Sequence, residues 1–140
     1  MRPGIVMLVG QADASKGALA RLLAARLPEV RVLDTAAVER GLFAPSDESA
    51  AERTVAFSAV LDAARYHLGR GRLVVVDTTG RRAEDDALHA IAVEAGAFVA
   101  TIVCPPAESE PGDEYLTVDP SRPVADVVDL VVGYVEEMAQ

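Results

Sequence analysis

The chain has 140 residues, 51% of them hydrophobic and 25% charged, and a formal net charge of −9 at pH 7. That length supports one buried core, read here as a single domain over residues 1–140, and the composition excludes wholesale disorder. The negative balance excludes a nucleic-acid partner, which needs clustered Lys and Arg, and no apolar run reaches the length of a membrane span.

The opening MRPGIVMLVGQAD has one Arg and a short apolar run that leads into a motif instead of a small-residue cleavage site. A secretory signal is therefore not expected. Cys104 is the only cysteine, so no internal disulfide can form, and a cytoplasmic location is the expectation.

Strand and helix patterns alternate from end to end. GIVMLVG (Gly4 to Gly10) is a continuous apolar run, the mark of a strand buried on both faces. From Ser15 to Leu27, Leu19, Leu22, Leu23 and Leu27 recur at helical spacing until Pro28 stops the helix. VRVLD (Val30 to Asp34) reads as a second strand, followed by a helical turn through Val38. Ser46, Asp47 and Glu48 suit a helix N-terminus, and a long helix is expected from about Asp47 to Leu68, ended by Gly69 and Gly71.

RLVVVDTTG (Arg72 to Gly80) is a third buried strand, and Ala83 to Ala95 a helix with Leu88, Ile91 and Ala92 inward and Gly96 at its end. FVATIVCPP is a fourth strand closed by prolines. The acidic loop AESEPGDE, a short strand YLTVD and a final helix complete the chain, with Pro123 in that helix's first turn and Ser121 as its cap. Val127 to Val135 are apolar around much of that helix's circumference. They are either deeply packed or turned partly toward a protein partner or a second copy of the chain. Five apolar strands alternating with helices read as an α/β fold with a parallel sheet covered on both faces, its ligand sites at the strand exits.

One of those exits carries a motif. GQADASKG (Gly10 to Gly17) has nearly the spacing G-x-x-x-x-G-K-[ST] of a phosphate-binding loop, between a buried strand and an amphipathic helix. Gly10 and Lys16 stand at their expected positions, and the helix amides after them favour an anion. Ser15 replaces the glycine before the lysine, and Gly17 replaces the hydroxyl that would ligand Mg²⁺. Asp13 adds a carboxylate that would repel phosphate. Gly10, Asp13, Ala14, Ser15, Lys16 and Gly17 are the candidate nucleotide-binding residues. Asp77, at the end of LVVVD, is either a strand-end acid that holds Mg²⁺ through water or a cap on the turn DTTG. Asp34 fits an Asx-type turn. Arg81 and Arg82 are expected in solvent, His67 and His89 lack a ligand pattern, and Cys104 suits a packed thiol.

The whole arrangement resembles the small-molecule P-loop kinases, in particular the adenylylsulfate kinases and the related gluconate-kinase-like and AAA-type ATP-binding proteins. The residues that carry the resemblance are the opening strand–loop–helix, LDTAAVERGL (Leu33 to Leu42), GRGRLVVVDTTGRR (Gly69 to Arg82) and the closing DEYLTVDPSRPVADVVDLVVGYV. The resemblance implies a three-layer P-loop NTPase fold with five strands, with ATP or another nucleotide over the loop and an acceptor opposite it. Against the family's D-x-x-R pattern after the second strand, this chain has Ala36 and Glu39. Only CPPAESEPGDE separates the fourth and fifth strands, where the family places an arginine-bearing lid. Phosphoryl transfer rests on positioning and on stabilising charge, and most parts that do so are missing. The expectation is a degenerate kinase, or pseudokinase, serving as a nucleotide-binding, regulatory or interaction module. The alternatives are an active atypical phosphotransferase using Lys16 and Asp77, and an interaction protein that has lost nucleotide as well.

Overall fold

A computed structural model describes residues 2–10, 14–44, 49–78, 81–105 and 114–140. Its strands are β1 (Gly4–Val9), β2 (Arg31–Asp34), β3 (Leu73–Thr78), β4 (Phe98–Val103) and β5 (Leu116–Thr117). The helices between them are α1 (Ala14–Arg26), α2 (Thr35–Leu42), α3 (Ser49–Gly69), α4 (Arg82–Ala95) and α5 (Val124–Met138). The strands form one parallel sheet in the order β2-β3-β1-β4-β5.

Alternation along β1 builds two cores from one strand. Val6 and Leu8 face a cluster completed by Leu19, Leu23 and Leu27 of α1 and by Val127, Val128, Val131, Val132 and Val135 of α5. Ile5, Met7 and Val9 face the opposite cluster, with Phe57, Val60, Ala64 and Leu68 of α3 and Leu88, Ile91 and Ala92 of α4. Helices therefore cover both faces of the sheet, which is why β1 and β3 carry no polar alternation. Of the apolar side chains on α5, these five valines are packed inward, while Val124 and Leu130 are 37% and 46% exposed.

Most element boundaries follow the expected signals. Gly96 closes α4 in the left-handed conformation at φ 64°, its amide donating to Ala92 and Val93 carbonyls. Two boundaries differ from the sequence reading. The helical turn after Asp34 is a full helix to Leu42, because the Asp34 carboxylate accepts the Ala37 amide at 3.2 Å and α2 packs along α3. Ser121 does not cap α5: its amide and hydroxyl both donate to Asp119 Oδ1, at 2.9 and 2.7 Å, and Pro123 takes the cap position without a side-chain bond. Ser121 is used up in a local turn, an outlet that always competes with helix capping. The cap residues expected at 46–48 lie outside the described residues.

Candidate functional site

Parallel pairing brings the exits of β1, β3 and β4 side by side. The Gly10 amide, one step past β1, donates to the Thr78 carbonyl at 3.1 Å, and the Cys104 amide donates to Val9 at 2.7 Å. A Cβ on Gly10 would lie 2.2 Å from the Cys104 carbonyl oxygen, and backbone cannot yield as a side chain can. Glycine is required here by the crowding of two strand exits.

Ala14 and Ser15 open α1, and Lys16 follows them. Its side chain turns back under the strand exits and is 2% exposed. The ammonium lies 2.6 Å from Asp77 Oδ1 and donates to the Thr78 carbonyl at 3.0 Å and to the Gly10 carbonyl. An ammonium is a donor only, and each of these described partners is an acceptor. Lys16 thereby ties the start of α1 to the ends of β1 and β3. Asp77, which the sequence left between a metal ligand and a turn cap, is the lysine's counter-ion.

Asp77 stands in register with Asp34 across β2 and β3. Burial holds its carboxyl above the ordinary carboxylate range, the hydrogen bond and charge of Lys16 oppose that rise, the Asp34 charge adds to it, and Arg53 weakly opposes it. Arg53 on α3 is itself gripped by Glu84 on α4, through Nε at 3.2 Å and Nη2 at 3.1 Å. Next along, Thr78 Oγ1 donates to Asp85 Oδ1 at 3.3 Å, and burial raises the Asp85 carboxyl. His89 Nδ1 lies 2.8 Å from the Asp85 carbonyl, which can only accept, so that nitrogen carries the proton.

On the other side of α1 a cleft of about 110 Å³ opens between the β4 exit and the turn before α5. Leu19, Pro105, Val118, Pro120 and Val127 give it apolar walls, and Lys16, Asp119 and Arg122 add charge. Asp119 is held ionised by the Ser121 hydroxyl and amide, which lower its pKa. Cys104 borders the same cleft and packs against the α1–α5 core, as a packed thiol would.

The structure thus brings Gly10, Lys16 and Asp77 together, with Gly17 one residue further along α1. Asp13 lies outside the described residues. Arg81 and Arg82 are exposed, as expected. Sequence reasoning missed the Arg53–Glu84 pair. Half of the cleft lining, Cys104, Pro105, Asp119, Pro120 and Arg122, lies at strand exits where ligand sites are expected, but nothing in the spacing of Arg53 and Glu84 joins two separate helices. Gly17 has no side chain to offer a metal, and Asp77 Oδ1 is paired with Lys16. The described residues also contain no cluster of three or more His, Cys, Asp or Glu suited to a metal.

No protein-family model matches the sequence, and no curated protein matches it. Solved structures do. An APS kinase of Mycobacterium tuberculosis aligns over 96% of this chain and 98% of its own at 21% identity and a TM-score of 0.78. That kinase has also been solved in complex with AMPPNP and APS. A gluconokinase from Sinorhizobium meliloti aligns over 99% of this chain and 95% of its own, at 15% identity and a TM-score of 0.72. A hexameric APS kinase from Thiobacillus denitrificans reaches 26% identity and a TM-score of 0.75 over 97% of this chain, which spans 29% of that protein. The chain has the fold of the small-molecule P-loop kinases. None of its described helices is long and apolar enough to cross a membrane.

Proposed function

We propose that this chain is a degenerate P-loop kinase of the cytoplasm, a nucleotide-binding or regulatory module that no longer transfers phosphate. The observation that carries this reading is the site around Lys16. The residue at the phosphate-loop lysine position has its ammonium enclosed by Asp77 and two carbonyls, and the next residue, Gly17, offers no metal-binding hydroxyl. α2 presents Ala36 and Glu39 where an acceptor site would use an acid and a cation. Arg53, on the helix packed along α2, is bound to Glu84. A transferring phosphoryl group would find neither metal nor clamp.

Nucleotide binding is a separate matter from transfer. The apolar cleft beside Lys16 suits a planar base, with Arg122 able to stack on it, and the amides at the start of α1 favour the phosphates. A protein partner docking on α5 would meet Val124 and Leu130, since the other valines are already packed.

Calorimetric titration of ATP and ADP, with and without Mg²⁺, tests this in the native protein and in Lys16→Met, which keeps an unbranched stem. The expected result is binding that does not need Mg²⁺, weakens in the variant and leads to no ATP turnover. Turnover that disappears with Lys16 would replace this reading with an active atypical phosphotransferase using Lys16 and Asp77. Silence from both folded proteins would leave an interaction protein with a relic turn.

A further inference from the structure

We propose that Lys16 and Asp77 form a latch: the ammonium is committed to the Asp77 carboxylate, and a polyphosphate must displace that carboxylate to recruit it. The proposal rests on the nucleotide-binding reading above and adds how that site is regulated.

The three acceptors around Lys16 are not equivalent. The Thr78 carbonyl already takes the Gly10 amide as well as the ammonium, so both its lone pairs are in use. The Gly10 carbonyl belongs to the strand exit that the Cys104 backbone holds in place. Both are fixed by main chain. Of these three, Asp77 is the side chain and the one that carries charge, and it is partly open to solvent, with its side chain 20% exposed. An incoming phosphate that takes over the ammonium keeps the ion pair only if it replaces Asp77.

The exchange is therefore one anion for another at a single cation. No second lysine can answer the phosphate, because Lys16 is the only one in the chain. Asp34, in register beside Asp77, and Arg53 from α3 set the local field but do not bond the ammonium in the described structure. Opening the latch also removes one of the two bonds from α1 to the β3 exit, leaving the one to the Thr78 carbonyl. Ligand binding is thus coupled to the position of the α1 start.

The single lysine makes the test clean. Protein labelled with ¹³C and ¹⁵N at lysine gives one ε-signal in the whole chain. ATP, ADP and tripolyphosphate are titrated without divalent metal into the native protein, Asp77→Asn and Asp34→Asn, by calorimetry and by that signal. Asp34→Asn is the control: it removes a neighbouring negative charge, leaves the ammonium's partners in place, and keeps an acceptor for the Ala37 amide.

The latch requires the Lys16 signal to move on Asp77→Asn without ligand, and polyphosphate to bind that variant roughly tenfold more tightly than the native chain. Asp34→Asn should change affinity far less. Equal tightening in both variants overturns the latch and leaves general charge repulsion. Native-like affinity in Asp77→Asn overturns the latch while the nucleotide reading stands. Absence of binding in all three proteins overturns both. If Asp77→Asn fails to fold, the native titration decides: the Lys16 ε-signal and the Asp77 carboxyl signal must shift together to the same saturation point, and a stationary Asp77 carboxyl overturns the proposal.

Discussion

Arg53 and Glu84 meet as a two-pronged pair, Nε to Oε2 at 3.2 Å and Nη2 to Oε1 at 3.1 Å, joining α3 to α4 across 31 positions of sequence. Both side chains are largely buried, at 16% and 9% exposure. Arg53→Ala would strand a buried carboxylate, at a cost of about 3 kcal/mol. Glu84→Gln, which keeps one acceptor for the guanidinium, should cost clearly less. Chemical denaturation of both variants checks the ordering, and equal, near-zero losses would reduce the pair to a surface contact.

Gly17 sits inside α1 with open surroundings. A Cβ added there meets Arg21 Nη1 at 3.6 Å, an ordinary contact. Gly17→Ala should raise stability by up to about 1 kcal/mol through helix propensity. Gly17→Ser fits as well and restores a hydroxyl at the position where the phosphate-loop pattern has one. The expected outcome is ATP binding that becomes sensitive to Mg²⁺ in Gly17→Ser and not in Gly17→Ala, read by calorimetry with and without the metal. Identical metal response in the two variants would show that this position does not face the phosphates.

His67 titrates in a readily reached range. Its Nδ1 lies 3.0 Å from Arg72 Nη1, and a guanidinium only donates, so Nδ1 must be the unprotonated acceptor. Burial lowers its pKa below 6.5, and the charges of Arg72, Arg31 and Arg70 lower it further. The unfolded chain therefore takes up this proton first as pH falls. Stability from His67 is complete above pH 6.5 and is lost as pH drops from there toward the folded value. The native protein should lose more thermal stability between about pH 7.5 and about pH 5.5 than His67→Gln, which accepts from Arg72 without titrating. Parallel losses would contradict the neutral imidazole.

The fold was legible because its strands are written as uninterrupted apolar runs. LVVV in β3 and GIVMLV in β1 are buried at every position, as uninterrupted apolar runs require. Gly96 marked the end of α4 for a reason the backbone confirms. Ser121 misled because two turn chemistries share the same residue types, and Asp119 two positions earlier won the hydroxyl. Lys16 and Asp77 were each singled out by position, but their pairing was invisible. It depends on β1 and β3 lying next to each other, a fact of sheet order and not of spacing. Arg53 and Glu84 sit on separate helices with no pattern linking them, and only packing reveals them.

Burial of Lys16 also gives the molecule a built-in chemical clock. Because the chain's only ε-amine is shut beneath the strand exits, an amine acylating agent or a lysine-directed protease can attack that residue only when the pocket opens. The rate of labelling at this one position counts openings of the strand exits. Any ligand that seals or springs the site would register as a slower or faster clock.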